Sequence, residues 1–174
     1  MSALDGQPDT LNFLSPVNFA FQIKRCPAVN FYVQKVNIPG ISLPSPNYDN
    51  PYTPIPKAGD IIRFDELRIT FKVDEVLQNW FEIYNWIVAL GFPEDHEQYK
   101  AIQDQARVSQ LGIVSDVSVF VLDSAKNPKF ECVLKDAFPV SLSEFVMNSD
   151  VNDVNFITCQ ATFKYVNFIM NTHV

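Results

Sequence analysis

A proline-rich stretch constrains the fold of this chain more than any other feature of its sequence. Residues 39–56 contain six prolines, which are Pro39, Pro44, Pro46, Pro51, Pro54 and Pro56. Proline fixes φ and has no amide hydrogen to donate, so this segment is excluded from a regular helix and from the centre of a sheet. Two interpretations remain. The segment is a mobile surface loop, or it is an extended arm that its prolines stiffen, so that ordering it on a neighbouring subunit costs little entropy.

Strands are predicted on both sides of this stretch, because apolar and polar residues alternate there. Residues 17–23 and 31–36 show the pattern and predict a hairpin or meander. Residues 67–73 show it most clearly. Later in the chain, residues 117–122 and 130–134 are predicted to form a hairpin with a turn at 123–128, and further strands are predicted at 140–148 and 157–165.

One amphipathic helix is predicted at residues 75–90. Its apolar residues recur at three- and four-residue spacing, and Gly91 and Pro93 end it. Asp74 is placed to cap its start. The aromatic residues Trp80, Tyr84 and Trp86 on this helix are expected either to pack in the core or to face a partner.

The fold class that follows is α+β, a mostly antiparallel β-sandwich or open barrel with one flanking α-helix. At 174 residues the chain suits one domain with a sizeable core. We expect a flexible N-terminal lead-in at 1–16, one domain at 17–170 that includes the arm at 39–56, and a C-terminal tail at 171–174. The polar segment 94–112 is expected to form a solvated insertion.

Net charge, cysteine spacing and the distribution of apolar residues argue against several classes of function. The net charge of -7 disfavours a protein that reads nucleic acid, although an acidic wall lets DNA slide past without sticking. The three cysteines have no metal-binding or redox spacing, and we expect reduced, buried thiols. The N-terminus has no signal-peptide pattern, and no apolar run is long enough to span a bilayer.

Candidate catalytic groups are few. His96 and His173 lie in polar surroundings, and three pairs of adjacent carboxylates are better explained as turns, caps and solvated charge, namely Asp65/Glu66, Asp74/Glu75 and Glu94/Asp95. The sequence has neither a phosphate-binding glycine loop nor a His or Cys cluster for a metal. We therefore expect no enzyme, no cofactor and no metal site.

Three segments carry a resemblance to a known family. They are VxIPGIxLP at 36–44, PxxGDxxxFDxLxxxFxVDExLxxWxxIYxWI at 56–87, and VFVLD at 119–123, followed by the long terminal strand. Together they resemble the tail-tube superfamily of contractile-tailed bacteriophages. Within it, the arrangement is most similar to the tail completion proteins, or tube terminators, of T4-like myophages.

The resemblance implies a structural protein of the virion tail, made in the bacterial host cytoplasm. It implies a homohexameric ring that caps the tail tube and the last ring of the sheath and connects to the neck and head completion proteins. Genomic DNA would pass through its lumen without sequence recognition. In this picture the six prolines of 39–56 belong to the intersubunit arm, and the insertion at 94–112 departs from the family pattern.

Two alternatives stay open from the sequence. Within the same superfamily, the chain is the tube subunit itself or a baseplate tube initiator, because all of these proteins stack on similar rings. In another class, it is a carbohydrate-binding β-sandwich, which the aromatic residues Tyr48, Tyr52 and Tyr99 favour.

Overall fold

The computed structural model describes residues 12–91, 112–149 and 156–172, with a few positions between 97 and 104. Its body is one antiparallel sheet with helices packed against it. Most of the predicted lead-in, most of the 94–112 insertion, His96 and His173 lie outside the described residues.

The elements in chain order are β1 (Phe19–Ile23), α1 (Pro27–Tyr32), β2 (Val33–Val36), β3 (Ile41–Ser42), β4 (Asn47–Tyr48), β5 (Ile55–Pro56), β6 (Arg63–Phe64), β7 (Leu67–Lys72), α2 (Gln78–Gly91), β8 (Ser115–Leu122), β9 (Pro128–Leu142), β10 (Thr158–Lys164) and β11 (Asn167–Thr172). Because β11 runs to Thr172, it includes two residues of the tail predicted at 171–174. No helix among the described residues is both long and apolar enough to cross a membrane.

Strand β9 joins the two halves of the sheet. The strand order is β1-β8-β9-β10-β7-β2, and β11 also pairs with β9. The first half of β9 lies between β8 and β11, and its second half pairs with β10. The last two strands therefore follow one another along the same edge of β9.

The core lies on the sheet face that the helices cover. Alternation buries every second residue, so Leu67, Ile69 and Phe71 of β7 are each 0% exposed. The same pattern buries side chains of β8 and β10, and α2 adds Ile83 and Trp86 to this cluster. The fold class is confirmed as α+β and mostly antiparallel, with an open sheet that does not close into a barrel.

The predicted hairpin between residues 17–23 and 31–36 is wrong. Strand β1 pairs with β8, whereas β2 pairs with β7 at the other end of the sheet. Phe31 and Tyr32 belong to α1, because Pro27 at the first helical position favours a helix start over a continuous strand.

Helix α2 begins three residues later than predicted. Asp74 accepts a hydrogen bond from the Glu75 amide, but its backbone carbonyl closes a turn by accepting one from Leu77 N at 2.9 Å. Leu77 then has a positive φ of 59°, and the helix follows it. The buried Asn79 fixes this junction, since its side chain donates to the Lys72 carbonyl at 2.7 Å and accepts from the Asp74 amide.

Candidate functional site

The proline-rich segment forms the outgoing leg, the tip and the first residues of the return leg of a hairpin. Its backbone pairs across β3 and β6 and across β4 and β5, with Lys57 N donating to Pro46 O and Gly59 N donating to Pro44 O, both at 2.9 Å. We call residues 40–65 the arm. At about 3.3 Å per residue, the leg over 41–48 extends for roughly 25 Å. The hairpin spans residues 40–65, whereas the intersubunit arm predicted from the sequence spans 39–56.

Proline is compatible with this ribbon, because Pro44 and Pro46 take part in its pairing through their carbonyl oxygens. Pro44 and Pro46 offer carbonyl oxygens to the return leg, and their missing amides leave no donor unpaired. Pro39 is buried at the base of the arm, and Pro51 and Pro54 are exposed at its tip. The remaining proline of the predicted set, Pro56, pairs with Asn47 in the β4–β5 ribbon.

The two legs approach each other so closely that there is no room for a side chain at Gly40 or Gly59. A Cβ atom at Gly59 would collide with the backbone carbonyl of Pro44. At the base, a Cβ at Gly40 would lie 2.6 Å from a carboxylate oxygen of Asp65. The path of the arm therefore depends on these two glycines.

The arm is ordered although it buries few of its own apolar side chains. Tyr52 at the tip is 91% exposed and Ile61 on the return leg is 74% exposed. The other exposed apolar residues of the arm are Ile41, Leu43, Tyr48, Ile55 and Ile62. An isolated two-stranded hairpin is marginally stable in water, and contiguous exposed apolar surface marks an interaction site. The arm therefore combines a paired backbone with apolar side chains that remain largely exposed to solvent.

The base of the arm is anchored to the sheet. The Tyr165 hydroxyl donates to the Asp65 carbonyl at 2.7 Å, and the Phe64 ring packs against Tyr165 and Phe168 with centroids 6.1 and 5.5 Å apart. Burial, together with the nearby Cys132 and Asp65, raises the pKa of Tyr165 to about 12. This residue therefore stays neutral and keeps donating at physiological pH. Sequence reasoning missed Tyr165, because it is far from the arm in the chain.

The helix aromatics divide between core and surface. Trp86 is in the core, where its Nε1 donates to the Ile113 carbonyl at 2.9 Å and Arg25 lies 5.2 Å from its ring centroid. Trp80 stacks on Tyr84 with centroids 5.1 Å apart and meets Phe145 edge-on. Since Tyr84 is 43% exposed, this cluster forms a half-buried patch on the outer side of α2.

A groove lies between the two edges of the open sheet. It has a volume of about 520 Å³ and is lined by residues of β1 and β2 together with the chain before β1. Asn30 closes one end, because its side chain accepts from Ile23 N and donates to Ile23 O, as a neighbouring strand would. The rest of these edges carries backbone groups with which a further strand can pair.

The three cysteines are free and buried. Burial, with Glu82 close by, raises the pKa of Cys26 to about 12, so its thiol is protonated and unreactive. Burial also raises the pKa of Cys132 and Cys159. Within the described part of the chain, no three His, Cys, Asp or Glu side chains are placed to hold a metal ion.

Comparison of the sequence with protein-family models and with curated proteins finds no match. Comparison of the structure finds several. The tube-terminating cap of the anti-feeding prophage matches with a TM-score of 0.61 and 12% identity, over 99% of this chain and 100% of that one. The sheath/tube terminator of an extracellular contractile injection system (PVC) matches with 0.57 and 14%, over 94% and 100%.

A chain of the PVC sheath–tube complex in the extended state matches with a TM-score of 0.59 and 14% identity, over 92% of each chain. At these identities the likeness shows the fold. The chain thus has the fold found in cap, terminator and sheath–tube complexes of contractile injection systems.

Proposed function

We propose that this chain is a structural, non-enzymatic subunit of a contractile tail or injection apparatus, and that it is the tube terminator. The observation that carries the proposal is the arm, which is anchored at its base and carries apolar side chains that are between 45% and 91% exposed. The tail-tube-like fold, shared with cap and terminator chains over almost their whole length, supports it.

An arm of this kind favours a ring. It is a protruding surface that differs from the surface receiving it, so contacts between copies are head-to-tail and generate a closed ring when the rotation closes. The homohexamer that the sequence resemblance implies is the ring we propose. The outer edges of β1 and β2, which pair with no strand in the described part of the chain, offer a second route to contact between copies, by addition of a strand.

The proposed partners follow from this ring. One ring face meets the last ring of the tube, and the other meets the neck or head completion proteins, while genomic DNA passes through the lumen. We assign the patch of Trp80, Phe81 and Tyr84 to contact with the sheath, because Phe81 and Tyr84 are 45% and 43% exposed. The particle is a virion of a contractile-tailed phage, assembled in the bacterial cytoplasm.

The test is to measure the mass of the purified protein by light scattering and to image it by negative-stain microscopy, alone and with purified tail tubes. Six-membered rings, or monomers that attach at one end of the tubes, are the expected result. Spontaneous open-ended tubes would make the chain a tube subunit, and attachment at the baseplate end would make it an initiator. A persistent monomer that ignores tubes refutes the proposal, and sugar binding by that monomer would favour the carbohydrate-binding alternative.

A further inference from the structure

One region of the polar sheet face differs in charge from the rest of the molecule. Register places Lys35 opposite Thr70 and Thr70 opposite Gln160, so these three side chains form a row across β2, β7 and β10. The next row contains Arg68 and Thr162. Two further cations complete the region, Lys72 opposite Thr158 and Lys164 at the end of β10. We call this region the basic face.

The basic face is positive on an acidic protein. Among the residues that the structure describes there, it has four cations, Lys35, Arg68, Lys72 and Lys164, and one carboxylate, Glu66, so these five residues carry a net charge of +3. The chain as a whole carries -7, which leaves -10 for all other residues. Strand pairing therefore places positive charges together on one surface of a chain whose net charge is negative.

These cations are available to a ligand. The side chains of Arg68 and Lys164 are 61% and 56% exposed, and each is 3.7 Å from a Glu66 oxygen. Ion pairs this long and this exposed contribute little and are easily exchanged. Lys72 rests its ammonium 3.6 Å from the Phe156 ring centroid, which holds the charge at the surface without neutralising it.

The chemistry between the cations points to phosphate. Arg and Lys together with Thr, Ser and Gln side chains are the groups that contact phosphate oxygens in protein–nucleic acid interfaces. The rows of the basic face supply Thr70, Thr158, Thr162 and Gln160. The aromatic ring beside them, Phe156, is 61% exposed and lies against the Lys72 ammonium, whereas the aromatic hot spots that hold protein partners are usually buried in pockets. A flat sheet face also presents no helix to a groove, so base edges are not read.

We propose that the basic face contacts the phosphate backbone of double-stranded nucleic acid without reading its sequence. This goes beyond the proposed ring, which by itself requires only a hole that DNA passes through. Binding is weak, because the remaining charge of -10 repels the same polyanion. With about three phosphates neutralised, the slope of log K against log salt is about -2.7, so affinity falls roughly 40-fold between 50 and 200 mM salt.

The test is fluorescence anisotropy of two duplexes of unrelated sequence, titrated with the full chain at several salt concentrations. Equal binding of both duplexes with a slope near -3 is expected. The variant R68Q/K72Q/K164Q should lose roughly tenfold in affinity at 50 mM salt and flatten the slope by two or more. The control K24Q/K126Q/K129Q removes three exposed lysines elsewhere and should change affinity far less.

A variant with the opposite expected effect covers the case in which the triple variant misfolds. Glu66→Gln removes the carboxylate of the basic face and should tighten binding severalfold, with the fold checked by circular dichroism. No binding at 50 mM salt, or equal losses in the triple variant and its control, would overturn the inference. Equally tight binding of polyglutamate would reassign the face to an acidic protein partner. None of these readouts depends on ring formation, so this inference and the proposed function fail separately.

Discussion

Shortening the arm separates its role in assembly from any role in folding. The variant replaces residues 47–56 by Asn-Gly, which joins Pro46 to Lys57, two residues already paired at 2.9 Å across the ribbon. It removes Tyr48, Tyr52 and Ile55, which are 60%, 91% and 45% exposed. Because these side chains stabilise little in the isolated subunit, we expect the free energy of unfolding to change by no more than about 0.5 kcal/mol.

The effect on assembly is much larger. Full burial of such a side chain is worth about 1.5–3 kcal/mol, and these three have on average about two-thirds of their surface still to bury, which gives roughly 3–6 kcal/mol per arm. Since 1.4 kcal/mol corresponds to a factor of ten, the variant should assemble at least 100-fold more weakly. Sedimentation velocity across a concentration series measures this shift, and urea unfolding measures stability.

A control variant removes similar apolar surface outside the arm. Val146→Ser/Met147→Ser changes two side chains that are 74% and 71% exposed, and it should leave assembly between copies unchanged. The reasoning is refuted if the shortened protein assembles at the wild-type concentration, or if both variants weaken assembly equally. Unfolding of the shortened variant would instead show that the arm tip stabilises the subunit.

Three further predictions concern the body. Asn79→Ala leaves the Lys72 carbonyl and the Asp74 amide without their partner and should cost about 2 kcal/mol in urea unfolding, whereas the exposed Asn85→Ala should cost under about 0.5. Burial raises the pKa of Tyr165 to about 12, so the folded state favours the neutral phenol. The stabilisation that this residue contributes below pH 10 should therefore be lost as the pH rises to about 12. Tyr165→Phe should abolish this loss in pH-dependent unfolding. Burial also raises the pKa of the Glu82 carboxyl group, so folding favours its protonated form. The free energy of unfolding should therefore decline as pH rises through the range in which carboxyl groups titrate, and Glu82→Gln should flatten that decline. Parallel pH profiles of the unfolding free energy in the wild type and the variant would contradict this prediction.

Local patterns predicted most of the strands but few of their partners. The predicted pairing of residues 117–122 with 130–134 is confirmed by β8 and β9. The separate strand predicted at 140–148 is wrong, because β9 continues unbroken to Leu142 and residues 143–148 lie outside any strand. The alternation in residues 67–73 and 157–165 identified β7 and β10, because burial of one sheet face leaves a period of two in the sequence. Pairing depends on contacts between distant segments, and no local pattern records that β1 joins β8 across the chain. The start of α2 was missed for a related reason, since the Asp74 cap competed with a backbone turn that ends at Leu77.

Part of the candidate site, the outgoing leg of the arm, was predicted from the sequence. Its prolines marked the outgoing leg, because proline restricts local structure whatever its surroundings. The return leg and the Tyr165 anchor were invisible, since they depend on the approach of residue 65 to residue 165. The distribution of charge also depended on contacts between distant segments. The total charge of -7 predicted an acidic wall, but strand pairing places four of the cations on one sheet face.

The position of β10 has a consequence for how the protein is synthesised. This strand lies between β7 and β9, both of which leave the ribosome before it. Until β10 emerges, the nascent chain consists of two sheet fragments with open inner edges, β2 with β7 and β1 with β8 and β9. Their shared core closes only when Cys159, Ala161 and Phe163 are inserted. Vectorial synthesis therefore delays completion of the core until the last strands of the subunit have been made.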